Sequence, residues 1–568
     1  MRSLYFVISL ISFIVISAFS QTREEMVAKF KEHFKAVIVD VRGSRGGNGD
    51  VAAGYLTIMD FIQNYQITEG ITILVDSGSL KIIERLAKGN SRFWSIAKVE
   101  TIETLPTDRV FDLYLSLSSP SGSFQHGKQI SERWGDENQV EKNDDTGKKI
   151  NIRTEGVLMA QTALGNTEET STNPFAAVRS NGLNFDMSPA GIASNEAGIY
   201  NDYVAVQLRS MNVDEIEKFV VTESKMIDDF DSKTSVQDII SGNKLKGVKT
   251  GLAYGISAKE TKQQFMSYLK GLEAGKSFCL ITPSIFDEHD IVDPELRRRV
   301  VLVSNNANLS EHAEPGKIYI VKTKTLPHRV FVGLMAYSMR KGLVPVGAGD
   351  GFMSAAINLG GPFVLTKVPW NAKNIDNLKQ RLLIITKRLY TDPTHIALVE
   401  SLFESVYGKI DMLKSQALHK LAPLFARLSK EVPNLSERII ETAIVAHEAA
   451  KSNLDPNERA HLVKNIHDQT LRKSIEDGGI AGTIKTTYES GLVFSSTGGF
   501  KDESGNDYKK NDMAINPSKN GMGDRTENFF NKVSYDKPTK TYLHGLETSK
   551  SKQSKPLTLN KCIGFYKN

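Results

Sequence analysis

Cysteine is scarce in this chain. The 568 residues hold two, Cys279 and Cys562, which allow at most one intramolecular bridge and cannot supply a Cys-rich zinc site, so a disulfide scaffold is excluded. Long apolar runs are scarce too: after Leu4 to Phe19, no stretch is long and apolar enough to cross a bilayer. No G-x-S-x-G nucleophile elbow occurs, which removes serine-hydrolase logic. His447 and Glu448 stand alone, and no cluster has metal-ligand spacing. Collagen-like and heptad periods are missing, and 40% hydrophobic with 24% charged residues is the composition of a folded protein. At this length one core does not suffice, and two domains or more are expected.

A strong charge of one sign is also lacking. The formal net charge is +5, and residues 481–568, with 14 Lys/Arg against 9 Asp/Glu, account for all of it. The body is neutral. Nucleic-acid binding usually shows as a basic stripe interleaved with aromatics on a folded face, so no nucleic-acid partner is expected. The N-terminus does carry a signal: Met1-Arg2-Ser3, the apolar run to Phe19 and a small-x-small site at Ala18-Phe19-Ser20 have the layout of a signal peptide. Export with cleavage after Ser20 is expected, an uncleaved anchor being the alternative and the only route to membrane contact.

From Ala36 onward, short β-branched runs alternate with helical ones. Ala36 to Val41, Ile71 to Val75 and Val110 to Leu117 read as strands, and Val51 to Asn64 and Leu80 to Ala87 as helices. Such alternation predicts βαβ units and a parallel sheet. Residues 126–156 are polar and read as a surface insertion. A second alternating block gives strands at Gly251 to Ile256, Ser277 to Thr282, Val300 to Ser304, Lys317 to Lys322, Leu343 to Val346 and Phe363 to Thr366, with helices at Arg329 to Arg340 and Gly351 to Leu359. The fold class expected is α/β, two Rossmann-like doubly wound domains in series at 24–245 and 246–375. A region of helical periodicity at 376–478 and a polar basic tail at 479–568 follow.

Two glycine-rich turns carry the chemistry. The first strand runs into Arg42-Gly43-Ser44-Arg45-Gly46-Gly47-Asn48-Gly49-Asp50 and then a helix. Glycines let the backbone turn sharply and approach a ligand, and the helix start offers unpaired N–H groups to an anion. Gly47 to Ala52 even satisfies G-x-G-x-x-G/A, with Asp76 about 25 residues on where a ribose-binding acid would stand. Dinucleotide binding, a purely structural turn, and a cap role for Asp50 all remain open readings. The second turn is Val346-Gly347-Ala348-Gly349-Asp350-Gly351-Phe352-Met353-Ser354, leading through a helix to Gly360-Gly361-Pro362-Phe363. Upstream, Ile318 to Lys322 leads through Thr323-Lys324-Thr325-Leu326-Pro327-His328-Arg329 into another helix.

These two segments resemble the donor-binding half of GT-B-fold glycosyltransferases, in which a strand and an L-P-H loop precede a helix and the next turn is Gly/Ser-rich, ending in G-x-P. The Gly46-Gly47-Asn48-Gly49 loop resembles the acceptor-side loop of the same fold, and the likeness covers about 24–375. It implies a sugar transferase, with a nucleotide sugar on the second domain and an acceptor (glycan, lipid or protein) on the first. The residues implied for the donor are Gly349, Asp350, Gly351, Phe352, Ser354, Lys322, His328 and Arg329, with Lys324 beside them. Asp50 is the candidate general base of a metal-independent, inverting displacement, with no cofactor beyond the nucleotide-sugar co-substrate. One departure stands out: many members carry an acid after the donor loop, whereas Ser354 is followed by Ala355 and Ala356. Either Asp350 takes over or the nucleotide is held differently, and a non-catalytic binding or regulatory protein is the alternative. Asp229-Phe230-Asp231 has D-x-D spacing but reads as an exposed loop.

Overall fold

The computed structural model describes residues 23–42, 48–117, 130–132, 150–160, 184–186, 192, 198–283, 286–324, 326–341, 343–367, 372–390, 392–408, 420–432 and 434–450, with short strands at 500–501 and 507–508. In chain order these form α1 (Arg23–His33), β1 (Val37–Asp40), α2 (Asn48–Asn64), β2 (Ile71–Leu74), α3 (Ser77–Leu86), α4 (Ser91–Ile96), β3 (Lys98–Glu100), β4 (Val110–Ser116), β5 (Ile130–Glu132), β6 (Ile150–Ala160) and β7 (Asn184–Asp186). Then come α5 (Tyr203–Arg209), α6 (Val213–Glu223), α7 (Phe230–Ile240), β8 (Lys249–Tyr254), α8 (Lys259–Lys270), β9 (Phe278–Thr282), α9 (Pro294–Arg299), β10 (Val300–Val303), β11 (Ile318–Lys322), α10 (His328–Lys341), β12 (Val346–Gly347), α11 (Asp350–Leu359) and β13 (Val364–Leu365). Helices α12 (Ala372–Leu389), α13 (Pro393–Gly408), α14 (Ala422–Glu431) and α15 (Leu435–Ala450) follow.

The chain is α/β, with two parallel sheets. The first has the order β3-β2-β1-β4-β6-β5 with β7 on β6, and the second has the order β10-β11-β9-β8-β12-β13. Parallel strands are covered on both faces and so read as continuous apolar runs rather than alternating ones. Val37-Ile38-Val39 and Phe278-Cys279-Leu280-Ile281 are buried throughout. One core runs through both sheets and their helices, while a smaller one of Ile38, Leu74, Phe111, Tyr114, Ile152 and Leu158 fills the other face of the first sheet. Helix α12 joins the large core through Leu378, Leu382 and Ile385, each worth about 1.5–3 kcal/mol of apolar burial.

One expectation changes. The stretch 126–156 is not wholly an insertion: β5 and β6 belong to the sheet, and β6 pairs β4 from Asn151 to Ala160. Ile150 and Ile152 supply the buried face, a short alternation that the surrounding polar residues obscure. The register slips between Phe111 and Leu113, where a Cβ on Gly156 would meet Arg153 O at 2.9 Å and Asp112 O at 3.0 Å; only glycine fits that bulge. The other residues of that stretch, the expected leader at 1–20 and most of the tail lie outside the described residues. No described helix is long and apolar enough to cross a membrane. Helices α5 and α6, which fall in the segment expected as the first domain, pack on α10, and α5 also packs on α11 and on α2.

Candidate functional site

In the second sheet the chain leaves β8 in one direction, through β9 to β11, and returns to the other side with β12 and β13. The carboxyl ends of β8 and β12 therefore flank a topological switch point, where loops diverge and ligands of open α/β sheets bind. Ala348 N donates to Tyr254 O at 3.1 Å across it. Gly255 (φ +71°) abuts Ala348, where a Cβ would lie 3.1 Å from both its Cβ and its carbonyl oxygen.

Gly349 opens α11 with φ 95° and ψ 160°, a conformation essentially confined to glycine. It offers no capping side chain, and the first N–H groups of a helix have no intrahelical acceptor. A Cβ on Gly349 or Gly351 would meet nothing within 4 Å. The turn is thus open above and anchored below: the ring of Phe352 is buried under Gly347, whose own Cβ would strike it at 2.7 Å. Tyr254 packs against Phe331 at 4.7 Å and stacks on Phe352 at 6.5 Å. The starts of α10 and α11 therefore converge on the end of β8, and their dipoles make the spot favourable to an anion.

His328 begins α10 and is buried. Its Nε2 lies 3.0 Å from Asp202 Oδ2, in ion-pair range but without the straight N–H···O geometry of a hydrogen bond. Asp202 is fully buried, and its Oδ1 caps α5 by accepting from Val204 N (3.1 Å) and Ala205 N (3.2 Å). Tyr55, on α2, meets the His328 ring edge-on at 6.0 Å. Asn90 Nδ2 donates to Tyr55 Oη at 3.0 Å and reaches Tyr203 Oη at 3.3 Å, and burial pushes the Tyr55 phenol up. A polar seam thus joins α2 of the first sheet to α5 and α10.

The cations expected near the donor are each matched by an acid. Lys322 Nζ meets Asp287 at 2.6 Å, Lys324 Nζ meets Asp229 at 2.7 Å, and Arg329 grips Glu223 through Nε and Nη2 at 2.8 and 3.0 Å. Ser354 is fully buried, as are Ala355 and Ala356. Asn358 ties this stretch of α11 to Tyr200 O and Ser354 O, both at 2.8 Å. The positions just after this turn thus sit in the core rather than at the surface. Asp350 is half-buried in the first turn.

At the first sheet, the corresponding switch point lies between β1 and β4. Arg42 Nε and Nη2 donate to Asp40 at 3.0 and 2.7 Å, and Tyr114 Oη also donates to Asp40, which fixes the chain just before the glycine loop. Gly46 and Gly47 lie outside the described residues, as do the side chains of Asn48 and Asp50. The backbone of Asn48, Gly49 and Asp50 is already helical, so α2 starts earlier than expected. Asp76 caps α3, accepting from Ser79 N at 2.7 Å. Asp229 is likewise the cap of α7 rather than a loop residue, and its bonds to Lys324 and Ser232 hold its carboxyl down to about 2. Among the described residues no group of three His, Cys, Asp or Glu is placed to hold a metal. Sequence reasoning missed Tyr55, Asn90 and the role of Asp202, although Asn201-Asp202-Tyr203 ahead of an apolar helix is a legible cap signal.

No protein-family model and no curated protein matches the chain. Solved structures do match. One is an alpha-glucosyltransferase in complex with UDP-glucose and DNA containing an abasic site, at 12% identity and a TM-score of 0.36, covering 71% of this chain and 96% of the other. A second is an alpha-glucosyltransferase with UDP and a 13-mer DNA containing an HMU base, at 9% identity and TM-score 0.32, covering 72% and 99%. A third is the enzyme in complex with UDP, at 11% identity and TM-score 0.28, covering 73% and 96%. Two of the three are DNA complexes, so the expectation of no nucleic-acid partner is withdrawn.

Proposed function

We propose that the chain is a glycosyltransferase that takes its sugar from a nucleotide-sugar donor, with the donor diphosphate lying on the turn from Gly349 to Phe352. The observation that carries this is the conformation of Gly349. A glycine-only backbone opens a ten-residue helix at a topological switch point, and open space stands off both Gly349 and Gly351. A departing nucleoside diphosphate is an anion, and the N–H groups and dipole of α11 stabilise it without requiring a metal. Lys322, Lys324 and Arg329 then serve by exchanging a carboxylate partner for a phosphate oxygen, or by holding the loop that presents His328.

The acceptor hydroxyl is proposed to enter from the first sheet, where α2 begins. Asp50, in the first turn of that helix, is the proposed general base, deprotonating the acceptor as it attacks the anomeric carbon in an inverting displacement. Calorimetric titration of the full chain with UDP, ADP and GDP tests the reading. Binding of one of them, abolished by a bulky residue at Gly351, is expected; silence toward all three refutes it.

A further inference from the structure

We infer that Asp202 is the positioning residue for His328, presenting its imidazole to the diphosphate of the donor; this rests on the nucleotide reading above. Asp202 divides its two oxygens. Oδ1 is spent on the N–H groups of Val204 and Ala205, a task that serine or asparagine would perform as well. Oδ2 is the informative atom. It is buried, has no hydrogen bond among the described residues, and lies 3.0 Å from His328 Nε2, which is equally buried and equally without one. A carboxylate oxygen taken out of water is costly unless something nearby answers it, and the imidazole is what faces it.

The surroundings fix the ring. Tyr55 packs on it edge-on, and Asn90 and Tyr203 hold the Tyr55 hydroxyl. With Nε2 buried 3.0 Å from Asp202 Oδ2, Nδ1 is the ring nitrogen left for a ligand. His328 is also the first residue of α10, whose start converges with that of α11 on Tyr254. The imidazole thus stands at the start of the helix that meets α11 at Tyr254, 126 residues along the chain from the carboxylate that faces it.

The test is a double-mutant cycle read on nucleotide affinity. The full chain is titrated with UDP, ADP and GDP, and the one that binds is used for Asp202→Asn, His328→Gln and the pair together. Each single change is expected to weaken binding about ten- to a hundredfold, the worth of a hydrogen bond to a charged group. The double variant is expected to be no weaker than His328→Gln, because both changes remove one contact. The thermal midpoint of Asp202→Asn should stay near wild type, since the cap survives; a purely structural Asp202 gives no such split. Wild-type affinity in Asp202→Asn, or losses that multiply in the double variant, overturns the inference and leaves the nucleotide reading standing. Asp202→Ser, which keeps the cap with a single oxygen, replaces the asparagine variant if that one does not fold; failure of both to fold makes Asp202 structural and overturns the inference too. A wild-type chain that binds none of the three nucleotides overturns the reading beneath it.

Discussion

Gly349 and Gly351 are two residues apart and should answer substitution in opposite ways. Gly351 is the second residue of α11, and a Cβ there meets nothing within 4 Å. Gly351→Leu therefore adds no clash, and replacing glycine inside a helix gains up to about 1 kcal/mol, less in a first turn. Gly349 sits at φ 95° and ψ 160°, where any side chain costs about 1–3 kcal/mol in backbone strain. Gly349→Ala should thus lower the thermal midpoint by about 1–3 °C, while Gly351→Leu should hold or raise it. Nucleotide binding should move differently: the leucine projects into the space that a diphosphate would occupy and should cost at least about a hundredfold in affinity, or about 2.7 kcal/mol. Calorimetric titration and a melting curve on the same samples read both quantities. A Gly351→Leu chain as stable as wild type and equally able to bind the nucleotide would place the ligand elsewhere and refute the argument from this turn.

Three further outcomes are expected. Asp50→Asn keeps size and capping ability but removes the proton acceptor, so sugar transfer should fall about 10² to 10⁴-fold with donor affinity nearly unchanged; normal transfer would remove Asp50 from the chemistry. The Asp229 carboxyl is held down from 3.8 to about 2, chiefly by Lys324, so its ion pair stabilises fully above the ordinary carboxylate range and is lost as pH falls toward 2. Its stability profile should flatten across that window in Asp229→Asn, modestly because the site is solvated; an unchanged acid limb argues against the pair. Burial pushes the Cys279 thiol up to about 12, so it should resist alkylation at pH 8 until the chain is unfolded, as peptide mapping by mass spectrometry would read; rapid native labelling would mean that β9 is not closed.

The elements most legible in the sequence are those with local causes. Parallel strands buried on both faces announce themselves as unbroken β-branched runs, and the second glycine turn needs its glycines for reasons internal to nine residues. The first half of strand β6 was harder to see because only Ile150 and Ile152 are apolar there among polar neighbours, and the bulge at Gly156 that separates them from Val157 shows only once β6 lies on β4. The seam around His328 is illegible for another reason: Tyr55, Asn90, Asp202 and His328 come from four separate segments, and nothing in the spacing of a caps-and-loops pattern says which cap will face which ring. The cations of the L-P-H region illustrate the same limit. Sequence assigns their charge but not their partners, and Asp287, Asp229 and Glu223 are each more than 30 residues away.

The core of the first sheet's helix α2 contains a buried acid, Asp60. Its carboxylate receives amides from Asn64, from Asn201 at 2.8 Å and from Asn434 at 3.0 Å. The residue after Asn434 also closes onto the chain near Asn201, Leu435 N donating to Ile199 O at 3.0 Å. During synthesis, Asp60 leaves the ribosome about 370 residues before its last partner does. At rates of about 5–20 residues per second, that half waits roughly twenty seconds or more with a carboxylate oxygen that must stay hydrated. The first sheet therefore cannot reach its final packing as an independent early unit. Its completion is tied to the arrival of α15, which makes the C-terminal helices a checkpoint for the fold of the N-terminal half and a nonsense codon before 434 as damaging to the beginning of the protein as to its end.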